Sequence, residues 1–236
     1  MLASKLTELI AHLYMRGLIG YVYRASVACD SSNDIYGVNI PRSLHVGSAP
    51  FVRSHLMVGF ATRCMHDMCW FPPARAYVIS ALIDEAAINR LNRSDSNCKT
   101  SLLQPITEKS FLITFLASKD DKHIQRGFEN SLRYAGVSED NINKFVNIIK
   151  GVTLRKGDTL QISCIPSESL IFLKLNSRDV STNVTIKDCQ SLIEGLHKLY
   201  LGAGASPDKE WISGARYLSI ARSIAVQLES MENHPL

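Results

Sequence analysis

The sequence predicts an α+β protein, with helices layered on one face of an antiparallel sheet. Segments of strand character come in pairs, Met57 to Thr62 with Ala76 to Ile83 and then Leu160 to Cys164 with Leu170 to Leu175. Each pair is followed by stretches whose apolar residues recur at helical spacing, as in Ile124, Phe128 and Leu132. Strand pairs followed by helix pairs belong to the α+β class rather than to alternating βαβ units. A chain of 236 residues that is 46% hydrophobic and 20% charged is large enough to bury a substantial core.

Taken in order, Gly37 to Val46 reads as extended and is interrupted by Pro41. Met57 to Thr62 and Ala76 to Ile83 read as strands. Asn89 to Gln104 is polar, with Ser, Asn and Asp gathered near Ser94 to Asn97, and reads as a loop. Phe111 to Leu116 is a short apolar run of the kind found in buried strands. The period then changes to that of a helix through Ile124, Phe128 and Leu132. Ser138, followed by Glu139 and Asp140, starts another helix, with Ile142, Phe145, Val146 and Ile149 as its stripe. Lys156-Gly157-Asp158 is a turn. Leu160, Ile162 and Cys164 alternate, and after a turn at Pro166 to Ser169 the run Leu170 to Leu175 completes a hairpin. Val184 to Ile186 adds a short strand. Leu192, Ile193, Leu196, Leu199 and Tyr200 stripe a helix that Gly202 and Gly204 stop. Ser206-Pro207 opens a last helix, with Trp211, Ala215, Leu218 and Ala225 facing inward.

The N-terminus differs from the rest. Met1 to Ser26 carries Lys5, Arg16 and Arg24 against one acid, Glu8, and Leu2, Leu6, Leu9, Ile10 and Leu13 recur at helical spacing. A basic, acid-poor amphipathic start fits a segment directing import into a mitochondrion or plastid; the alternative is an ordinary helix packed on a cytoplasmic domain. The expected organisation is an N-terminal extension over residues 1–30 and a domain over residues 35–230.

Charge and composition narrow the function. The formal net charge is +4, with no run of Lys or Arg, so nucleic acid is not an expected partner. No 18 consecutive residues are apolar, so no membrane span is expected. The six cysteines, at 29, 64, 69, 98, 164 and 189, are scattered, which suits a reducing compartment. Cys64, His66 and Cys69 lie close together but lack a second ligand pair, so no metal and no cofactor are expected. Asn183-Val184-Thr185 matches the glycosylation sequon, without a secretory signal to give it meaning. There is no GxSxG, P-loop, GxGxxG after a strand or HExxH. His123, ahead of a helix, is by itself no base. A monomer is expected.

Arg63 and Tyr77 stand out. Arg63 ends the apolar segment that begins at Leu56, and Tyr77 lies fourteen positions on, inside the next. A guanidinium and a phenol on neighbouring strands suit a carboxylate or phenolate, since Arg donates twice in a plane and Tyr adds a third donor. The alternative makes Arg63 a surface strand end and Tyr77 a core residue.

The order of segments resembles the chalcone isomerase-like superfamily between Gly37 and Val226. Gly37 to Val46 is similar to its first strand, Leu56 to Arg63 to its arginine-bearing strand, and Ala76 to Leu82 to the strand after that. Phe128-Glu129-Asn130-Ser131-Leu132 resembles the helix carrying the family's asparagine. Leu154 to Leu160 resembles its KGD turn, and His197 to Gly202 its LYxG helix end. The resemblance implies an open-faced β-sandwich: a curved antiparallel sheet layered with helices, and a cleft above it. It implies a ligand site at Arg63, Tyr77, Asn130, His123 and Leu199. Tyr77 stands where the isomerases carry a catalytic threonine, His123 where they carry a tyrosine, and Leu199 where they carry a small hydroxylated residue. An arginine followed by a tyrosine on the next strand is the pattern of the non-enzymatic, fatty-acid-binding branch. The implied partner is a fatty acid or another apolar small-molecule acid, with no catalytic residue. Chalcone-type isomerisation and a ligand-free interaction domain are the alternatives. Ala61 and Ser80 replace glycines of the pattern, and two extra residues lie around Pro72-Pro73.

Overall fold

A computed structural model describes residues 34–47, 52–64, 75–91 and 106–201. The expected N-terminal helix, the Cys64-His66-Cys69 group beyond Cys64, most of the polar stretch to Gln104, and the helix expected from Ser206 lie outside the described residues.

Nine strands and four α-helices are described. The run from Gly37 to Val46, read as one extended segment, is divided. Tyr36 (φ 57°) and Gly37 (φ 72°) both take the left-handed region. They turn a two-residue hairpin between β1 (Asp34–Ile35) and β2 (Val38–Asn39), as its twist requires. The chain passes Pro41 before β3 (Ser43–Val46). Next come β4 (Arg53–Cys64) and β5 (Arg75–Asp84), both longer than their apolar cores suggest. Asp84 then caps α1 (Glu85–Leu91), its Oδ2 accepting from Ala87 N at 3.1 Å. The loop expected from Asn89 therefore begins inside a helix.

After β6 (Lys109–Phe115), every residue of which is buried, come α2 (Asp121–Tyr134) and α3 (Glu139–Val146). Asp120 caps α2, its Oδ1 accepting from His123 N at 2.7 Å. Ser138 holds the cap position of α3, as its sequence suggests, but its side chain makes no cap hydrogen bond. The stripe through Ile149 runs on in a 3-10 turn, Asn147–Ile149. Strands β7 (Thr159–Ile165), β8 (Leu170–Asn176) and β9 (Ser181–Ile186) precede α4 (Gln190–Leu201).

Strands β3 to β9 form one curled, seven-stranded antiparallel sheet in chain order, each paired with the next. The expected hairpin, β7 with β8, shares that sheet with Tyr77 on β5. Helices α2, α3 and α4 cover one face, where Phe128 meets Phe145 edge-on at 5.1 Å and Phe111 meets Tyr200 at 5.1 Å. The α+β class and the layering of helices on the sheet are as the sequence predicts. Near β5 the other face holds a small apolar cluster, Val38, Ile40 and Val78. Among the described residues no helix is long and apolar enough to cross a membrane.

Helix α4 approaches the end of α2 through Gly195. A β-carbon there would run directly into Val137 Cγ2, with Ala135 Cβ at 3.6 Å. Valine has no slack in χ1, so the helix must move instead. Gly195→Ala is expected to cost about 1–3 kcal/mol in urea unfolding, as overpacked cores do. Adding Val137→Ala should recover part of that loss. A double variant no more stable than Gly195→Ala would show that the contact is not the cause.

Candidate functional site

The site expected from sequence starts with one irregularity in β4. Leu56 lies opposite Ile83 and Met57 opposite Leu82, but the next pair is Gly59 with Ala81, so Val58 is an extra residue. A bulge of this kind reverses which side chains face each side. After it Gly59, Ala61 and Arg63 point to the helix-covered face, the face of Ile79 and Ala81. Arg63 lies directly opposite Tyr77. Residues so paired hold their β-carbons about 4.5–5.5 Å apart on one face. Both side chains are half-buried. Tyr77 is fixed by Phe115, its partner on β6, ring edge to face at 6.2 Å and 67°. A guanidinium and a phenol thus stand side by side at one end of the sheet, with the apolar core behind them.

The other expected residues are placed differently. Asn130 is exposed, two positions past the buried Phe128 and hence about 200° round α2 from it. His123 is exposed at the first turn of the same helix. Leu199 is buried in the core beside Tyr200.

Two polar clusters were not read from the sequence. Lys109, at the start of β6, and His197, on α4, are both buried in the apolar face, with Lys109 Nζ 3.2 Å from His197 Nδ1. Burial lowers the Lys109 ammonium to about 8 and His197 to about 4. Cys164 lies opposite Lys109 on β7, and burial pushes its thiol up to about 12. His197 Nε2 is buried with no hydrogen-bond partner. The apolar run legible in the sequence begins at Phe111, which leaves Lys109 outside it, and 88 residues separate Lys109 from His197. No sequence spacing signals such a pair.

The second cluster lies on the opposite face. His55 Nδ1 is 2.8 Å from Ser110 Oγ and His55 Nε2 is 3.1 Å from Glu108 Oε1, while Glu108 also pairs with Arg53. The set has the composition of a nucleophile–base–acid relay. Its depth is wrong for one, since no substrate reaches a serine that is fully buried. Ser110 Oγ lies 2.7 Å from Ser163 Oγ, and with His55 Nε2–H donating to the Glu108 carboxylate, Nδ1 accepts from the Ser110 hydroxyl. Gln161 Nε2 donates to the same Ser163 oxygen at 3.1 Å. Ser110, His55 and Ser163 are all fully buried. The network reaches over β5 to tie β4 to β6 and β7, and acts as a polar strut.

A scan against models of protein families gives no match to this chain, and a search of the curated proteins gives none either.

Proposed function

We propose that this protein is a chalcone isomerase-like domain that binds a fatty acid or a similar apolar carboxylic acid without transforming it. The observation that carries the reading is the pairing of Arg63 with Tyr77 on the helix-covered face of the sheet. A planar carboxylate accepts two parallel hydrogen bonds from a guanidinium and a third from a phenol. The chain would lie along the apolar surface beyond Phe115. The curled antiparallel sheet with helices on one face is compatible with the open-faced sandwich of that superfamily.

Burial of a methylene contributes roughly 0.8 kcal/mol, so about twelve contribute on the order of 10 kcal/mol. Association and chain ordering remove several of these. A dissociation constant near micromolar is expected, with affinity rising with chain length until the space is full. Titration with saturated acids of increasing length and with their methyl esters tests this. Acids should bind more tightly than esters of the same length; esters binding equally well would end the reading.

Catalysis is not expected. Ring closure of a chalcone needs nucleophile, enone and proton donors held in near-attack geometry. Tyr77 stands in the threonine position, and His123 and Asn130 are exposed. The rate of chalcone cyclisation with the protein should match the buffer rate. Turnover that disappears in Arg63→Ala would instead establish an isomerase.

A further inference from the structure

We propose that the protein self-associates through β9, two copies joining their sheets edge to edge about a twofold axis. Among the described residues the large sheet has two edges, and they differ. At one edge, β3 has four residues, with Pro41 just before it and Gly47 just after. Short strands flanked by proline are a usual means of blunting an edge. At the other edge, β9 has six residues, Ser-Thr-Asn-Val-Thr-Ile. It carries no charge and no proline, and it pairs with β8 residue for residue, without a bulge. Four of its six side chains are β-branched, the type that best suits a strand. Among the described residues none of the usual protections against strand addition is present.

The charges at the two ends of β9 choose the occupant. Arg178 and Asp179 stand at the tip of the β8–β9 turn, and Lys187 and Asp188 follow the strand; all four are exposed. Placed antiparallel about Asn183, a second β9 brings Asp179 to Lys187 of the other copy and Arg178 to Asp188. Both meetings are attractive, and the symmetry doubles each of them. A parallel arrangement would set like charge against like. Asp179 already lies 3.3 Å from Arg155 Nη2, so it would bridge two cations in the pair. The same register sets Asn183 against Asn183, a neutral match. Thr182, Val184 and Ile186 continue the core-facing row, and Ser181, Asn183 and Thr185 the exposed one. An isologous contact of this kind closes at two copies, so a dimer and not a filament is expected. The expectation of a monomer came from a sequence in which strand order cannot be seen.

Sedimentation velocity of the full chain across a concentration series reads the state directly. The wild type should move from monomer to dimer as concentration rises. Asn183→Lys sets two ammonium groups together at the axis and should weaken the dimer at least tenfold, with only a small loss in thermal unfolding of the monomer, where Lys174 lies opposite on β8. Lys187→Asp should weaken it, and adding Asp179→Lys to that variant should restore it. A wild type that stays monomeric throughout the series overturns the proposal. So does a dimer that ignores Asn183→Lys, or a charge reversal that is not rescued by its partner.

Discussion

Arg63→Ala is expected to lower affinity for a long-chain acid about a hundredfold and to leave affinity for its methyl ester nearly unchanged. The reason is charge. A carboxylate carried into a half-buried site loses water on most sides, and truncating its only planar double donor leaves the anion short of partners. Removing one side of a hydrogen-bonded charge pair costs roughly 2–5 kcal/mol. An ester has no charge to strand, and gives up at most an ordinary hydrogen bond. Tyr77→Phe should cost the acid less, about 0.5–1.5 kcal/mol, because one neutral donor is lost while the ring stays against Phe115. Calorimetric titration of acid and ester against the wild type and both variants separates the terms. Equal losses for acid and ester in Arg63→Ala would make Arg63 a structural residue and remove the head-group assignment, while chain-length dependence could still survive.

Replacing Lys109 and His197 together by Met and Leu should stabilise the protein at pH 7 by on the order of 3 kcal/mol, the size of a pKa lowered from 10.5 to about 8. The sign follows from proton counting. Between pH 8 and 10.5 the unfolded chain holds the Lys109 proton and the folded chain releases it, so stability rises with pH there, and below pH 8 the full cost of the buried ammonium is present. His197, at about 4 folded against 6.5 unfolded, adds a second window: stability falls as pH drops from 6.5 to 4. The double variant has neither window, and apolar replacements of buried polar groups are often stabilising by about 1–4 kcal/mol. Urea midpoints at pH 5, 7 and 9 should rise with pH in the wild type and lie nearly level in the variant, apart from the remaining titrating groups. A variant no more stable than wild type at pH 7, or one with the same slope, would contradict this. His197→Leu alone should be destabilising, since it takes away the acceptor that faces Lys109 Nζ at 3.2 Å.

Much of the scaffold could be read before any coordinates. Ile124, Phe128 and Leu132 announce α2 because a helix must turn one stripe inward, and those three are its buried residues. The β7–β8 hairpin is equally plain, since alternation, a Pro-led turn and a second apolar run leave few other folds. Helix α1 was missed because its signal is a single cap, Asp84, directly after a strand. The β1–β2 hairpin was missed because Tyr36 holds a left-handed conformation that its residue type does not advertise. In the site, the types of Arg63 and Tyr77 suggested a pair, but nothing local says that they are partners in register. Asn130 carried the family pattern yet points outward, because the stripe of α2 fixes which side of the helix meets the sheet. The buried polar clusters belong to tertiary contact alone: His55 and Ser110 are 55 positions apart and sit on strands that are not even neighbours.

Val58 gives the Arg63–Tyr77 pair an unusual kind of dependence. Because the bulge absorbs one extra residue in β4 and so keeps Arg63 on the side of Tyr77, the site answers to chain length and register as well as to chemistry. Point substitutions in this stretch can weaken or strengthen the pair while Arg63 stays on its side. Losing Val58 would only close the bulge and leave Arg63 opposite Tyr77, but losing a single residue between Gly59 and Arg63, with the bulge kept, turns the guanidinium to the far side of the sheet, toward Val78 and away from the helices. Two descendants of this sequence could therefore share Arg, Tyr and nearly all of their composition while only one of them holds an anion. For such a family a gap in an alignment would say more about ligand binding than any mismatch, and the residue to count is one that touches no ligand at all.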